Sequence, residues 1–119
     1  RQALVAVVNE PHGTGSKAQL DKSFGITVAG KTGTAQVASL AREGSGEQFK
    51  DNAWFAGYAP AEAPQIVVVA LLENSGHGGS VSAPVVRAVM EAYFSGENKR
   101  KEAAVAAQSA AIQGAAPQG

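Results

Sequence analysis

The sequence predicts an α+β fold in which an antiparallel three-stranded sheet, a meander, is flanked by an N-terminal and a C-terminal helix. Residues 26–38, 52–59 and 65–72 are successive strand-like runs, joined by a polar loop and a short proline-bounded turn. Apolar residues recur at helical spacing before the first run and after the last. The chain has 119 residues, enough for one domain with a modest core.

Leu4, Val5 and Val8, with Val7 beside them, form one face of a helix from Arg1 to Glu10. Its β-branched residues weaken its propensity, and Pro11 ends it, because the residue before a proline disfavours the helical region. His12 to Ser16 is a glycine-rich turn without the spacing of a phosphate-binding loop. Residues 17–25 are polar and turn-like, with Phe24 as their anchor. The first strand runs from Ile26 to Ala38. Residues 39–50 are polar and form a hairpin connection well beyond the usual length of about two to five residues. Such a loop hangs at the mouth of any cleft beside the first strand.

Asn52 to Ala59 sets Trp54, Ala56 and Tyr58 against Ala53, Phe55 and Gly57, which suits a strand covered on both faces, with Trp54 in the core. Pro60 to Pro64 is a tight turn, and Gln65 to Leu72 is a continuous apolar run that predicts a central strand buried on both faces. Glu73 to Ser80 is a glycine-rich loop whose His77 has no second histidine near it in the sequence to share a metal or a proton. Ser82, Ala83 and Pro84 open the last helix with a capping hydroxyl and an early proline. Val85, Val86, Val89, Met90, Tyr93 and Phe94 form its sheet-facing stripe, while Arg87 and Glu91 pair across one turn. Gly96 is expected to end it. The domain is therefore drawn at 1–95, and residues 96–119 are expected to form a disordered tail, helical at most fleetingly around 100–112.

Ten basic and ten acidic residues cancel, which argues against nucleic acid or a membrane surface as partner. The absence of cysteine removes disulfides and thiolate metal sites, and nothing in the sequence calls for a metal or another cofactor. No apolar run approaches the ~20 residues of a membrane-spanning helix, and no signal peptide opens the chain.

The residues richest in chemistry are Lys31, Thr32, Gly33 and Thr34, set in the first strand. A lysine between glycines does not suit a core strand, but it suits an edge strand lining a cleft. The ammonium and the two hydroxyls are a donor set for an anion. Gly33 would let a ligand approach the backbone, leaving the Thr34 amide as a free donor of the kind that builds half of an oxyanion hole. Side chains two apart share a face, so Lys31 and Gly33 look one way and Thr32 and Thr34 the other; only twist or a bulge brings them to one ligand. The bare triplet also fits a solvated edge strand whose lysine deters sheet-to-sheet aggregation.

A longer pattern goes further. Lys31 to Val37, Asp51 to Pro60, Glu73 to Gly79 and Ala83 to Arg87, in that order and preceded by Val7 to Pro11 and Gly13-Thr14-Gly15, closely resemble the end of a class B penicillin-binding protein, above all the elongation-specific members. The resemblance covers residues 1–95 and implies the penicillin-binding protein/serine β-lactamase transpeptidase fold. It implies a serine-type D,D-transpeptidase that cross-links peptidoglycan stem peptides and is acylated by β-lactams. Lys31 would help hold the substrate carboxylate and contact a serine of a second motif. The Thr32 and Thr34 hydroxyls would bind that carboxylate, with Gly33 between them, and the Thr34 amide would be an oxyanion-hole donor. It also implies placement at the periplasmic face of the bacterial inner membrane, with the anchoring helix upstream.

The same family needs a Ser-x-x-Lys nucleophile motif and a Ser-x-Asn motif, and none of the nine serines here satisfies either. The chain is therefore expected to be a C-terminal piece, one wall of an active site without its nucleophile, whose partners include the rest of the domain and, through an uncovered sheet face, a second copy of itself. Two further readings remain open: a non-catalytic carboxylate-binding or structural module, and a serine β-lactamase fragment, which the Trp54 and Gly76–Gly79 segments fit less well.

Overall fold

The computed structural model describes residues 1–35, 51–73 and 75–114. Helix α1, Gln2–Asn9, buries Val8 and stops where Glu10 adopts an extended ψ of 152° ahead of Pro11. Two single turns of 3-10 helix, Ser16–Ala18 and Lys22–Phe24, lead into strand β1, Ala29–Ala35. Asp21 caps the second turn; the Ser23 amide it accepts holds its carboxyl below the usual range. Strand β2 is Asn52–Ala59, β3 is Ile66–Leu72, and helix α2 is Gly78–Gly114. The predicted loop at 39–50 and the end of the first predicted strand lie outside the described residues.

The strands are antiparallel in the order β1-β2-β3, with Thr32 opposite Phe55 and Phe55 opposite Ala70. Both helices cover one face, where Val8, Val28, Phe55, Ala59, Val86, Met90 and Phe94 form the core. The fully buried ring of Phe55 lies at the centre. A Cβ on Gly15, Gly30 or Gly57 would come within 2.8, 2.6 or 2.9 Å of that ring. The three glycines form a cradle that draws the turn after α1, strand β1 and strand β2 onto one side chain. Filling an aromatic-sized site this completely is worth about 3–5 kcal/mol against Phe→Ala truncation.

Three expectations are corrected. First, β3 is an edge strand, and β2 is central. Ala70 is buried toward the helices, but Val67, Val69 and Leu71 are 70%, 65% and 59% exposed on the other face. A continuous apolar run reports that both faces are apolar, without saying what covers them. Second, α2 begins at Gly78, before the expected start. Ser82 is therefore inside the helix and fully buried, and its hydroxyl donates to Ala53 O at 2.8 Å, tying α2 to β2. Pro84 sits in the second turn, so the N–H it lacks costs only one bond near the helix start. Third, α2 does not end at Gly96 but continues to Gly114. No atom would meet a Cβ at Gly96, and the alanine-, lysine- and glutamate-rich residues that follow outweigh the ~1 kcal/mol helical penalty of one glycine. Residues 98–113 of this extension are solvent-exposed. Among the described residues no helix is long and apolar enough to cross a membrane.

The face of β3 turned away from the helices continues onto Trp54, Ala56 and Tyr58 of β2, which pair with Leu71, Val69 and Val67. An apolar patch of this kind favours association. The chain is expected to self-associate in gel filtration with light scattering, and Val69→Asp to shift it toward monomer. A wild-type chain that stays monomeric at high concentration would contradict this.

Candidate functional site

Strand β1 borders the sheet, so one of its sides has no strand partner. Its pairing with β2 is regular from Ala29 opposite Tyr58 to Ala35 opposite Asn52, without a bulge. The alternation of side chains is therefore kept. Lys31 and Gly33 lie on the open face, and Thr32 and Thr34 on the face that carries the helices. No bulge interrupts this strand to gather all four on one ligand.

The Lys31 ammonium folds back and donates to Thr32 O at 3.0 Å. That carbonyl is thus turned to the unpaired border rather than toward β2. Residues two apart in an antiparallel strand present their backbone groups to the same side. The Thr34 amide therefore points to the border as well, on the same side as the Lys31 ammonium. The border holds a cation and a backbone donor, which suits an oxygen that gains negative charge.

Gly33 has a different use from the one expected. A Cβ there would run into the indole of Trp54, which sits across β1 from its neighbouring position on β2. The space is filled by Trp54 and is not left for a ligand on that face. Trp54 is accordingly half-buried on the open side of the sheet and lies outside the core between the helices.

On the other face, the Thr32 hydroxyl lies 3.2 Å from that of Thr14. Thr32 and Thr34 line a concavity of about 350 Å³ whose far wall is His77, Gly78, Gly79 and Ser80. Gly78 makes this possible: a Cβ there would overlap Trp54 O and crowd Gly33 O at 2.8 Å, so only glycine lets α2 start directly against the β1–β2 pair. Sequence reasoning left His77 in an unassigned loop. Its place beside β1 comes from the chain reversal after β3, which no local pattern encodes. A larger groove of about 550 Å³ lies between α1 and the turn at Ala61 and Glu62; none of the four β1 residues reaches it. Among the described residues no group of three or more histidine, aspartate or glutamate side chains is arranged to hold a metal ion.

The penicillin binding protein transpeptidase domain family matches residues 1–91. The chain belongs to this family. The peptidoglycan D,D-transpeptidase MrdA of Haemophilus influenzae is 43% identical over an alignment of 100 positions that covers 79% of this chain and 15% of that protein. The MrdA of Salmonella typhimurium is 32% identical over the same share of this chain and 16% of its own length. Among solved structures, penicillin-binding protein 2 of Pseudomonas aeruginosa, in complex with WCK 5153, is 37% identical with a TM-score of 0.60, over 77% of this chain and 18% of that one. The transpeptidase domain of Burkholderia pseudomallei penicillin-binding protein 3 is 35% identical with a TM-score of 0.62, over 82% of this chain and 28% of that one. The present chain thus spans about a sixth of the curated relatives it matches, and its sheet and two helices are part of the transpeptidase fold.

In this transpeptidase segment, Gly33 and Trp54 make a sharp test of β1. Gly33→Ala is expected to push the indole off the strand, at an overpacking cost of about 1–3 kcal/mol. Trp54 is the only tryptophan, so the change is read directly as a red-shifted emission together with a lower unfolding midpoint. Unchanged emission and midpoint would contradict the placement.

Proposed function

We propose that the chain supplies one wall of the active site of a serine-type peptidoglycan D,D-transpeptidase of the elongation type, which cross-links stem peptides in cell-wall synthesis. One observation supports this above the others: the Lys31-Thr32-Gly33-Thr34 stretch of a penicillin-binding protein transpeptidase lies on the free border of the sheet, with the Thr34 amide turned outward.

In this reading the Thr34 N–H is one oxyanion-hole donor. It stabilises the negative oxygen that forms when a serine attacks the stem-peptide or β-lactam carbonyl. Removal of such a donor typically costs about 2.7–4 kcal/mol of transition-state stabilisation. Lys31 sits on the same border and serves the reacting end, beside the serine of the second motif. Its charge also favours the carboxylate at longer range. The hydroxyls of Thr32 and Thr34 receive that carboxylate on the other face of the strand, and Gly33 sets the spacing between them. The nucleophile belongs to the remainder of the transpeptidase domain, which also covers the open sheet face. The protein works at the periplasmic face of the inner membrane, held there by an anchor outside this sequence.

Two measurements test the reading. Titration with N-acetyl-D-alanyl-D-alanine is expected to move the amide resonances of residues 31–35 saturably; shifts absent there would overturn it. Incubation of the chain with a fluorescent penicillin, followed by denaturing electrophoresis, is expected to leave it unlabelled, since no serine stands in the nucleophile pattern. Stoichiometric labelling would overturn the assignment of the nucleophile to another part of the domain.

A further inference from the structure

The concavity that receives the Thr32 and Thr34 side chains is also lined by Lys17, from the first 3-10 turn, and by His77, from the segment before α2. Its described lining contains an ammonium, an imidazole, several hydroxyls and no carboxylate. Among the described residues Lys17 makes no ion pair or side-chain hydrogen bond, and its side chain is exposed. Lys31 stands on the opposite face of β1 and is bound to Thr32 O. A carboxylate resting on the two threonine hydroxyls therefore meets Lys17 within its own concavity, whereas the strand itself separates it from Lys31.

We propose that Lys17 is the charge-recognising residue of the carboxylate subsite, with the His77 imidazole as a further hydrogen-bonding group on its far wall. This deepens the reading given under Proposed function and rests on it. Strand β1 then divides the work. Its border and open side, with the Thr34 amide and Lys31, serve the reacting carbonyl. Its helix side, with Thr32, Thr34 and Lys17, reads the free acid three bonds further along the peptide. A lysine suits this role because a flexible ammonium follows a carboxylate of variable orientation, and its exposure makes the contact modest and sensitive to salt.

The test uses N-acetyl-D-alanyl-D-alanine and its C-terminal amide as probes, titrated into the wild-type chain, Lys17→Gln and Lys31→Gln while the amide resonances of residues 17, 31–35 and 77–80 are followed. The wild type is expected to prefer the acid. Lys17→Gln should weaken the acid about two- to fivefold, the effect of one exposed charge pair, leave the amide unaltered, and reduce the salt dependence of acid binding. Lys31→Gln should weaken both probes and lower the acid preference less than Lys17→Gln does. The inference fails if Lys17→Gln keeps the wild-type preference, or if Lys31→Gln alone removes it; in both cases the acid still moves residues 31–35 and the transpeptidase reading stands. If neither probe moves residues 31–35 of the wild type, that reading fails and Lys17 has no carboxylate to recognise. Lys17 and Lys31 are exposed, so both variants are expected to keep the wild-type dispersion of resonances, which the same spectra report.

Discussion

The ring of Phe55 in its cradle of glycines fixes nearly everything else. Gly15 comes from the turn after α1, Gly30 from the start of β1 and Gly57 from β2 itself. Each gives up a side chain so that one aromatic ring can be enclosed, and each is thereby held at contact distance from the same group. The consequence for the site is direct. Thr32 is opposite Phe55 in the register, and Thr14 and Ser16 flank Gly15. The face of β1 that carries the two threonines is positioned by the core, and the Thr14–Thr32 hydroxyl contact adds to it.

Strand β1 has three kinds of surface, and the sequence distributes its chemistry among them. One face is given to Trp54, the other to the concavity under α2, and the border to the Thr34 amide and the Lys31 ammonium. Under the proposed function, the period of two that keeps these groups out of a single cluster separates the reacting end of a peptide from its recognition end by the thickness of one strand. Nothing has to bulge or twist to achieve this, which fits the regular pairing along the whole length of β1.

Much of this arrangement could be read from local rules. The bounds of β2, the stop of α1 before Pro11 and the opposed directions of Lys31 and Thr32 follow from periodicity and proline geometry, and so do Val86, Met90, Tyr93 and Phe94 of the predicted helix stripe, whereas its Val85 and Val89 are 41% and 45% exposed. What could not be read depends on neighbours distant in sequence. The run at Ile66–Leu72 looks doubly covered because its residues are apolar on both faces, yet only one face meets a helix. Gly33 looks like an opening for a ligand until Trp54 is placed beside it. Ser82 has the chemistry of a cap, but its hydroxyl is needed by the Ala53 carbonyl after α2 has started earlier. His77 and Lys17 carry no local signal; they become neighbours of β1 only when the chain reverses after β3 and the turn after α1 folds over Phe55.

The length of α2 has a consequence of its own. Starting a helix is the unfavourable step, because several residues are ordered before the first bonds form, whereas adding to an existing one is nearly free. The packed turns around Val86, Met90 and Phe94 act as a permanent seed, so the residues beyond them need only extend it. That outer stretch behaves as a zipper anchored at one end: it unwinds from its tip inward, turn by turn, and leaves the sheet undisturbed while it does so.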